Sequence, residues 1–368
     1  MKLSALDENG QPVDWWFIYK VPKLGSGVSD SDSATGYEYV YYDAAMDAKG
    51  SRISRSPNII GDNNGALDRT IGSVFGGYPK AEDSTGWILY NDEYPDSVGK
   101  TDSASYGHTK GAICYDLATD TAFWLLHSWP KFADPLETHD PTPMYGQTYL
   151  CVSLDVASAR KLAAQMISHQ EPQVYYARAA SGMAATDPLV ALMTSVDLDA
   201  NSDSNVIDLT TRGNMALKVI AKNRKWNKDF WNELVGPALG VDLDVESWIR
   251  GPIPPIADSD GIHKTFDIKY ITMGSLGIHW AWPESQDHAK WGISLKSDWV
   301  CVGDINRMIS QRKRGGCTIA FQNETLWNAL TRTSLVLAPP GHTRTDAHAV
   351  IDLAKDPKPK HGSGGLTS

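Results

Sequence analysis

The sequence lacks the features that mark membrane-spanning, disulfide-rich and secreted proteins. No stretch approaches the roughly 18 consecutive apolar residues that indicate a transmembrane helix, so we expect no membrane contact of that kind. Four cysteines in 368 residues are too few for a disulfide-based scaffold. The first residues contain no apolar signal-peptide core, so no secretory signal is expected and the compartment stays unknown.

The four cysteines have different expected states. Cys114 and Cys151 lie in apolar, strand-like runs, which favours buried free thiols. Cys301 and Cys317 could instead close a disulfide around a basic loop, and the sequence favours neither the bridge nor the free thiols.

Positive charge is also scarce, because 34 Lys and Arg face 44 Asp and Glu and the formal net charge is −10. Such a balance argues against a polyanionic ligand at neutral pH. However, the ten histidines gain charge below about pH 6.5, and basic residues cluster in Lys222–Lys228 and Arg307–Arg314. The alternative for each cluster is a solvated helix face, and apolar spacing predicts a helix over 214–235. The chain therefore suits a polyanion in an acidic medium.

A tripeptide that occurs twice is the strongest positive signal. His108-Thr109-Lys110 and His288-Ala289-Lys290 are each followed by an apolar run, a polar turn and a second apolar run. The runs of the first copy end at His127-Ser128, and those of the second end at Gly303-Asp304. This shared order predicts a duplicated β-hairpin, although one such tripeptide alone could arise by chance.

Two such pairs suit phosphodiester hydrolysis without a metal. The reaction needs a nucleophile, a proton donor for the leaving alkoxide and positive charge for the phosphoryl oxygens. Two imidazoles can supply the first two functions. A lysine two residues from its histidine on extended chain points to the same side, so each copy delivers an imidazole and an ammonium together.

The fold class expected from the whole pattern is α/β. Strands are predicted over 13–22, 37–42, 85–92 and 149–154, and helices over 155–168, with Asp155 as the N-cap, and over 323–334. We expect a first half-repeat over 1–180, a second over 181–350 and a disordered tail over 351–368.

Several segments, in order along the chain, together resemble the deoxyribonuclease II family of the phospholipase D superfamily. These segments are Gly10-Gln11-Pro12-Val13-Asp14-Trp15, Leu89-Tyr90-Asn91-Asp92, Gly107-His108-Thr109-Lys110-Gly111, Tyr145-Gly146-Gln147-Thr148, Asp287-His288-Ala289-Lys290-Trp291 and Cys301-Val302-Gly303-Asp304-Ile305-Asn306-Arg307. The resemblance implies a duplicated body of two mixed sheets flanked by helices and related by a pseudo-twofold axis, with one active site between the halves.

The resemblance also implies metal-independent endonucleolytic cleavage of DNA at acidic pH, with 3′-phosphate and 5′-hydroxyl ends. By motif position His108 would form a phosphohistidine and His288 would be the general acid, although the order can be reversed. Lys110 and Lys290 complete the catalytic set, and no cofactor or metal is implied. The wider superfamily has an aspartate five residues after each lysine, where this chain has Tyr115 and Leu295.

Further residues are weaker candidates for contacts with the substrate. Asn306, Ser128 and Asp304 follow the second strands of the hairpins and could bind the phosphate or orient an imidazole ring, while Trp291 could stack on a base or sugar. His342, Asp346 and His348 have the spacing of metal ligands, but a solvated loop is the favoured interpretation of that stretch.

Two alternative functions remain at this level. One is a phosphodiesterase of the same fold that acts on RNA or lipid, and the other is a catalytically inactive DNA-binding protein. The sequence shows no amphipathic interfacial helix for a lipid surface. DNA binding alone would need positive charge but not paired imidazoles. The expected partner is DNA of any sequence, in double-stranded form, and a homodimer is possible.

Overall fold

A computed structural model describes residues 2–25, 33–76, 82–100, 103–132, 144–252 and 263–336. Within these residues the chain forms two large β-sheets with helices packed around them. The residues His342, Asp346 and His348 and the tail 351–368 lie outside the described part of the chain. No helix in the described ranges has the length and apolar character needed to cross a bilayer.

The first sheet is built from the first half of the chain. In the described residues it has eight strands in the order β10-β6-β7-β8-β9-β3-β4-β5, all paired antiparallel. A separate short ribbon pairs β1 with β2. The strands are β1 Ala5–Leu6, β2 Pro12–Val13, β3 Trp15–Lys20, β4 Glu38–Asp43, β5 Ser54–Ile59, β6 Thr85–Tyr90, β7 Gly111–Asp116, β8 Thr121–His127, β9 Gln147–Leu154 and β10 Val174–Arg178.

The second sheet is built from the second half, in the order β11-β12-β18-β17-β16-β13-β14-β15, with β19 paired to β14. Only this sheet is mixed among the described pairings, because β13 and β14 run parallel. Its strands are β11 Ser204–Thr210, β12 Ala216–Lys222, β13 Leu243–Glu246, β14 Thr265–Thr272, β15 Ala281–Pro283, β16 Trp291–Ser294, β17 Trp299–Gly303, β18 Gly316–Gln322 and β19 Ser334–Val336.

The helices follow the same duplicated plan. They are α1 Ala44–Ala48, α2 Ala66–Phe75, α3 Val156–Gln165, α4 Pro188–Leu192, α5 Gly236–Leu239 and α6 Glu324–Thr333. Helix α3 follows β9 directly and α6 follows β18 directly. The side chains of Asp155 and Asn323 cap these helices by accepting hydrogen bonds from the N–H groups of Ser158 and Leu326 at 2.7 and 2.8 Å.

The order of strands shows the duplication most directly. The run β6-β7-β8-β9-β3 in the first sheet matches the run β13-β16-β17-β18-β12 in the second. Both predicted hairpins, β7–β8 and β16–β17, lie at the centre of these runs and pair antiparallel. The expected α/β body with two duplicated, helix-flanked sheets is therefore confirmed, except that the first sheet is antiparallel and not mixed in its described pairings.

The two sheets pack on one shared core. Alternate side chains of β8 and β18, including Trp124, Leu126, Ile319 and Phe321, belong to the same apolar cluster. The opposite face of the first sheet is covered by α2, and that of the second by the π-helical turn Trp231–Val235. The halves are thus joined by a continuous apolar layer, and this layer fixes the position of each hairpin relative to the other.

One local prediction from the sequence is wrong, and the question left open for Cys301 and Cys317 is answered. The stretch 214–235 is not one helix, since β12 ends at Lys222 and helical structure begins only near Trp231. Its apolar residues occupy both faces of a strand, and over this short stretch their spacing resembles that of a helix. All four cysteines are buried free thiols. Cys301 belongs to the outer apolar cluster and Cys317 to the shared core, so opposite faces of the sheet keep them apart.

Candidate active site

The two tripeptides lie at equivalent positions in the two halves. His108–Lys110 directly precedes β7, and His288–Lys290 directly precedes β16. The carbonyl of Lys110 accepts the N–H of His127 at 3.2 Å, and the carbonyl of Lys290 accepts the N–H of Gly303 at 2.8 Å. Each lysine Nζ also donates to the carbonyl of its own histidine. The hairpins therefore present the two pairs in the same local geometry.

Each histidine is anchored by the opposite half of the molecule. The N–H of His108 donates to the carbonyl of Gly315 at 2.8 Å, and the N–H of His288 donates to the carbonyl of Gly146 at 2.9 Å. Gly315 directly precedes β18, and Gly146 directly precedes β9. This reciprocal exchange has the form expected of a pseudo-twofold relationship, and it places both histidines at the junction of the halves.

Close backbone approach explains two glycines beside the histidines. A Cβ at Gly107 would lie 1.9 Å from the carbonyl oxygen of Gln170, and a Cβ at Gly146 would lie 2.6 Å from Oδ1 of Asp287. Neither contact is possible without a shift of the surrounding chain, so the junction is closed only when these positions lack a side chain.

The imidazole of His108 has polar neighbours on both ring nitrogens. Its Nδ1 lies 2.5 Å from the carbonyl oxygen of Asp304, which can only accept, so Nδ1 carries the proton in this contact. Its Nε2 lies 3.4 Å from Oδ2 of Asp92. The other oxygen of Asp92 lies 2.7 Å from Nζ of Lys110, and Nη2 of Arg314 is 4.0 Å from Oδ2. A buried carboxylate is therefore shared by the first His-Lys pair.

The imidazole of His288 has an aromatic environment instead. The ring of Tyr145 stacks on it at 3.9 Å between centroids and 14° between planes, and the ring of Trp248 lies 4.3 Å away. The guanidinium of Arg250 lies 4.7 Å from the Trp248 ring centroid. The Nε2 atom of His288 is buried and has no hydrogen-bond partner among the described residues. This nitrogen is therefore free to meet a ligand atom.

Electrostatic interactions link the two pairs into one site. Burial, followed by the ammonium groups of Lys290 and Lys110, lowers the pKa of His288 to about 2. Burial and Lys110 hold the pKa of His108 well below its usual range, with Lys290 acting in the same direction and Asp92 against it. Burial and the Lys110 charge lower the pKa of Lys290 to about 7. Each lysine thus acts on the histidine of both halves.

The weaker sequence candidates occupy different surroundings. Ser128 is buried, and its Oγ donates to Gln147 and accepts the N–H of Thr148 at 3.0 Å, so both roles of the hydroxyl are used internally. Asp304 is buried and accepts the N–H of Cys317 at 2.8 Å, while its carbonyl contacts His108. The side chains of these two residues thus already have hydrogen-bond partners within the protein, and their role in substrate contact stays a prediction.

Trp291 and Asn306 complete the set. The Trp291 side chain is fully buried and meets the ring of Tyr19 edge-on at 6.1 Å, so it packs in the core and has no free face for a base. Asn306 is also buried, but its Oδ1 has no hydrogen-bond partner in the described part of the chain. Asn306 thus remains a candidate for a polar contact that the protein itself does not satisfy.

Other residues of the site were not singled out from the sequence. Asp92, Tyr145 and Trp248 contact the catalytic candidates from three separate segments, and Arg314, which the sequence offered only as part of a basic cluster, lies 4.0 Å from Asp92. Asp92 and Tyr145 do lie within segments that carry the family resemblance, and this was the available signal. Among the described residues, no group of three or more His, Cys, Asp or Glu side chains is placed to hold a metal ion.

Comparison with known proteins gives a consistent assignment. The model of the family described as Deoxyribonuclease II matches residues 4–338. The chain belongs to this family. A protein of Burkholderia thailandensis named "Putative deoxyribonuclease-2" is 56% identical over 357 residues, covering 97% of this chain and 99% of the relative. Deoxyribonuclease-2 of Caenorhabditis elegans is 31% identical, covering 89% of this chain and 91% of the relative.

The family resemblance expected from the sequence is thereby confirmed, and the chain is a nuclease of the deoxyribonuclease II type. Among solved structures, a yeast tyrosyl-DNA phosphodiesterase is similar with a TM-score of 0.35 and 11% identity, covering 75% of this chain and 93% of that one.

Proposed function

We propose that this deoxyribonuclease II family member is an acid endonuclease that hydrolyses DNA without a metal ion. The reaction passes through a phosphohistidine and leaves 3′-phosphate and 5′-hydroxyl ends. The observation that carries the proposal is the meeting of two His-Lys pairs at the junction of the halves. His108, Lys110, His288 and Lys290 form this catalytic set.

The paired imidazoles support a two-step displacement. In the first step the Nε2 of one histidine attacks phosphorus, the N–P bond forms, the P–O5′ bond breaks, and the other histidine donates a proton to O5′. In the second step that histidine takes a proton from water, the oxygen attacks phosphorus, and the N–P bond breaks to release the 3′-phosphate. Motif position favours His108 as the nucleophile, and this assignment stays a prediction.

Positive charge at the phosphoryl group comes from the lysines. Nζ of Lys110 and Nζ of Lys290 are buried beside the histidines, where a fixed charge acts more strongly than in water. Oδ1 of Asp92 lies 2.7 Å from Nζ of Lys110, whereas Lys290 forms no such ion pair among the described residues. Asn306 Oδ1 is a further candidate for substrate contact, because no described residue satisfies it.

The pKa shifts support an acidic optimum. A lowered pKa keeps an imidazole neutral over most of the pH range, so the proton that the general acid must donate is available mainly at low pH. The anionic phosphate of a bound substrate raises both pKa values in part. With a pKa of about 7, Lys290 also loses its positive charge as the pH rises above neutrality. Both effects make activity fall on the alkaline side.

DNA of any sequence is the proposed substrate, since the site offers charge for phosphates and the relatives are named as deoxyribonucleases. Double-stranded DNA is the form we expect. A homodimer and action in an acidic medium, both suggested at the level of sequence, stay predictions.

The test is nicking of a supercoiled plasmid between pH 4 and pH 8, in EDTA and in Mg²⁺. We expect full activity in EDTA with a maximum below neutrality. Activity that requires Mg²⁺, or that peaks above about pH 7.5 in EDTA, would refute the paired-histidine mechanism. Parallel assays with RNA and with phospholipid vesicles test the alternative substrates, and DNA binding without nicking would support the inactive binding protein.

A further inference from the structure

Two buried lysines occupy matching positions outside the His-Lys pairs. Lys20 is the last residue of β3, next to β9, and Lys222 is the last residue of β12, next to β18. Both side chains are fully buried. The interior rarely holds a lysine unless specific partners bind its ammonium, so this repeated placement calls for a reason.

The ammonium groups hold equivalent stretches of main chain. Nζ of Lys20 donates to the carbonyls of Tyr145 and Gly36, each at 2.7 Å. Nζ of Lys222 donates to the carbonyl of Arg314 and, at 3.0 Å, to that of Arg312. Tyr145 and Arg314 are the residues directly before Gly146 and Gly315.

These stretches are the ones that anchor the histidines. The carbonyl of Gly146 accepts the N–H of His288, and the carbonyl of Gly315 accepts the N–H of His108. The side chains make the same connection, because the Tyr145 ring stacks on His288 while the Arg314 guanidinium donates to the carbonyl of Gly107 at 3.0 Å. Each lysine therefore lies one residue from the contact that holds the histidine of the opposite half.

We propose that Lys20 and Lys222 are positioning residues that act across the junction, with Lys20 fixing His288 and Lys222 fixing His108. The inference rests on the proposed function of the two histidines. An ammonium can donate to several carbonyls at once, which an apolar side chain of the same length cannot do. Without it, the carbonyls lose their donor and the glycine segment is free to shift.

The substitutions Lys20→Met and Lys222→Met remove the ammonium and keep a flexible side chain that is one atom shorter. We expect each to lower kcat on DNA by about 10- to 100-fold with little change in KM, since a displacement of about 1 Å can cost about 10²-fold. Matched controls are Lys23→Met, three residues after Lys20 and exposed, and Lys218→Met, on the same strand as Lys222. Both controls should retain wild-type kcat.

A second substrate separates positioning from general loss of structure. Thymidine 3′-(4-nitrophenyl phosphate) has a leaving group that departs without a proton, so release of 4-nitrophenolate in the first turnover, which is the step to be measured, needs the nucleophile but not the general acid. With His108 as nucleophile, the defect of Lys20→Met should largely disappear on this ester, while that of Lys222→Met should persist. The reverse result, in which the defect on the ester persists for Lys20→Met and disappears for Lys222→Met, supports the same positioning roles of the lysines with the histidine roles exchanged.

Other outcomes overturn the proposal. Equal losses of activity on both substrates in both variants would indicate a general structural role. Wild-type kcat in both variants would show that neither lysine positions a histidine. If a methionine variant does not fold, Lys→Arg at the same position replaces it, because arginine keeps hydrogen-bond donors in a bulkier group. The arginine variant should lose less activity and should show the same difference between the two substrates. If that difference were absent, the positioning role of the lysine would be refuted.

Failure of the proposed function would look different. Wild-type protein inactive on DNA and on the ester would refute the nuclease mechanism alone. The ¹⁵N NMR chemical shifts of the imidazoles then test the positioning roles directly. Lys20→Met should change the ring signals of His288, and Lys222→Met should change those of His108. Unchanged or exchanged responses would overturn the inference.

Discussion

The carboxylate of Asp92 offers the sharpest test of how the site is stabilised. Asp92→Asn keeps the shape of the side chain and removes its charge. Its Oδ1 lies 2.7 Å from Nζ of Lys110, and the two side chains are only 8% and 3% exposed. We expect the variant to unfold more easily, because it leaves the Lys110 ammonium buried without its carboxylate.

The magnitude follows from distance and burial. At 2.7 Å the attraction is about 6 kcal/mol for an effective dielectric constant of about 20. Desolvation offsets part of this in the intact pair, and removal of one partner of a buried pair costs about 3–5 kcal/mol. The matched control is Asp96→Asn, because Asp96 and Lys131 are also 2.7 Å apart but 78% and 43% exposed. That change should cost at most about 1 kcal/mol.

The assay is urea unfolding at pH 7 and at pH 5, followed by tryptophan fluorescence. Lys110, His108 and Arg314 hold the pKa of Asp92 below its usual range against the effect of burial. A depressed pKa adds stability above the unfolded value near 3.9 and loses it only as the pH falls through the folded value. The penalty should therefore be nearly the same at both pH values. If Asp92→Asn cost no more than Asp96→Asn, the buried-pair reasoning would be wrong.

Two further predictions concern the catalytic set. His108→Ala and His288→Ala should each lower the rate of cleavage at least about 10²-fold, measured by plasmid nicking. The double variant should lose little more, because the two histidines act as one unit. More than about a tenth of wild-type activity in either single variant would contradict the proposed site. Lys110→Met and Lys290→Met should lower kcat with an unchanged cutting pattern on a sequenced fragment, whereas a changed pattern at wild-type rate would contradict charge neutralisation by the lysines.

Local pattern was sufficient to predict the hairpins and the helices that follow each repeat. The apolar runs after Lys110 and Lys290 form the predicted strand pairs, and Asp155 caps α3 as its position suggested. The pattern failed where burial on both faces removes the alternation of polar and apolar residues. The residues before Lys222 belong to a strand with buried side chains on both faces, and their spacing resembles that of a helix.

The site could be predicted only in part, for a physical reason. The histidines and lysines could be found because they recur in the chain, whereas Asp92 and Arg314 reach them through tertiary contacts that no local spacing encodes. The same limit explains Trp291 and Ser128. Trp291 directly follows the second motif and Ser128 directly follows β8, but both side chains are buried in the folded protein.

The duplicated backbone presents the two histidines alike, yet the proposed reaction needs them to differ. The main-chain contacts of His108 and His288 match across the junction, while the side chains around them do not. His108 lies beside the carboxylate of Asp92, and His288 contacts the rings of Tyr145 and Trp248. A nucleophile and a general acid must hold their protons with different strength, and unequal surroundings of equal groups produce such a difference. We infer that the repeat supplies the placement of the imidazoles and that different side chains at matching positions of the two halves, such as Asp92 and Trp248, divide their roles.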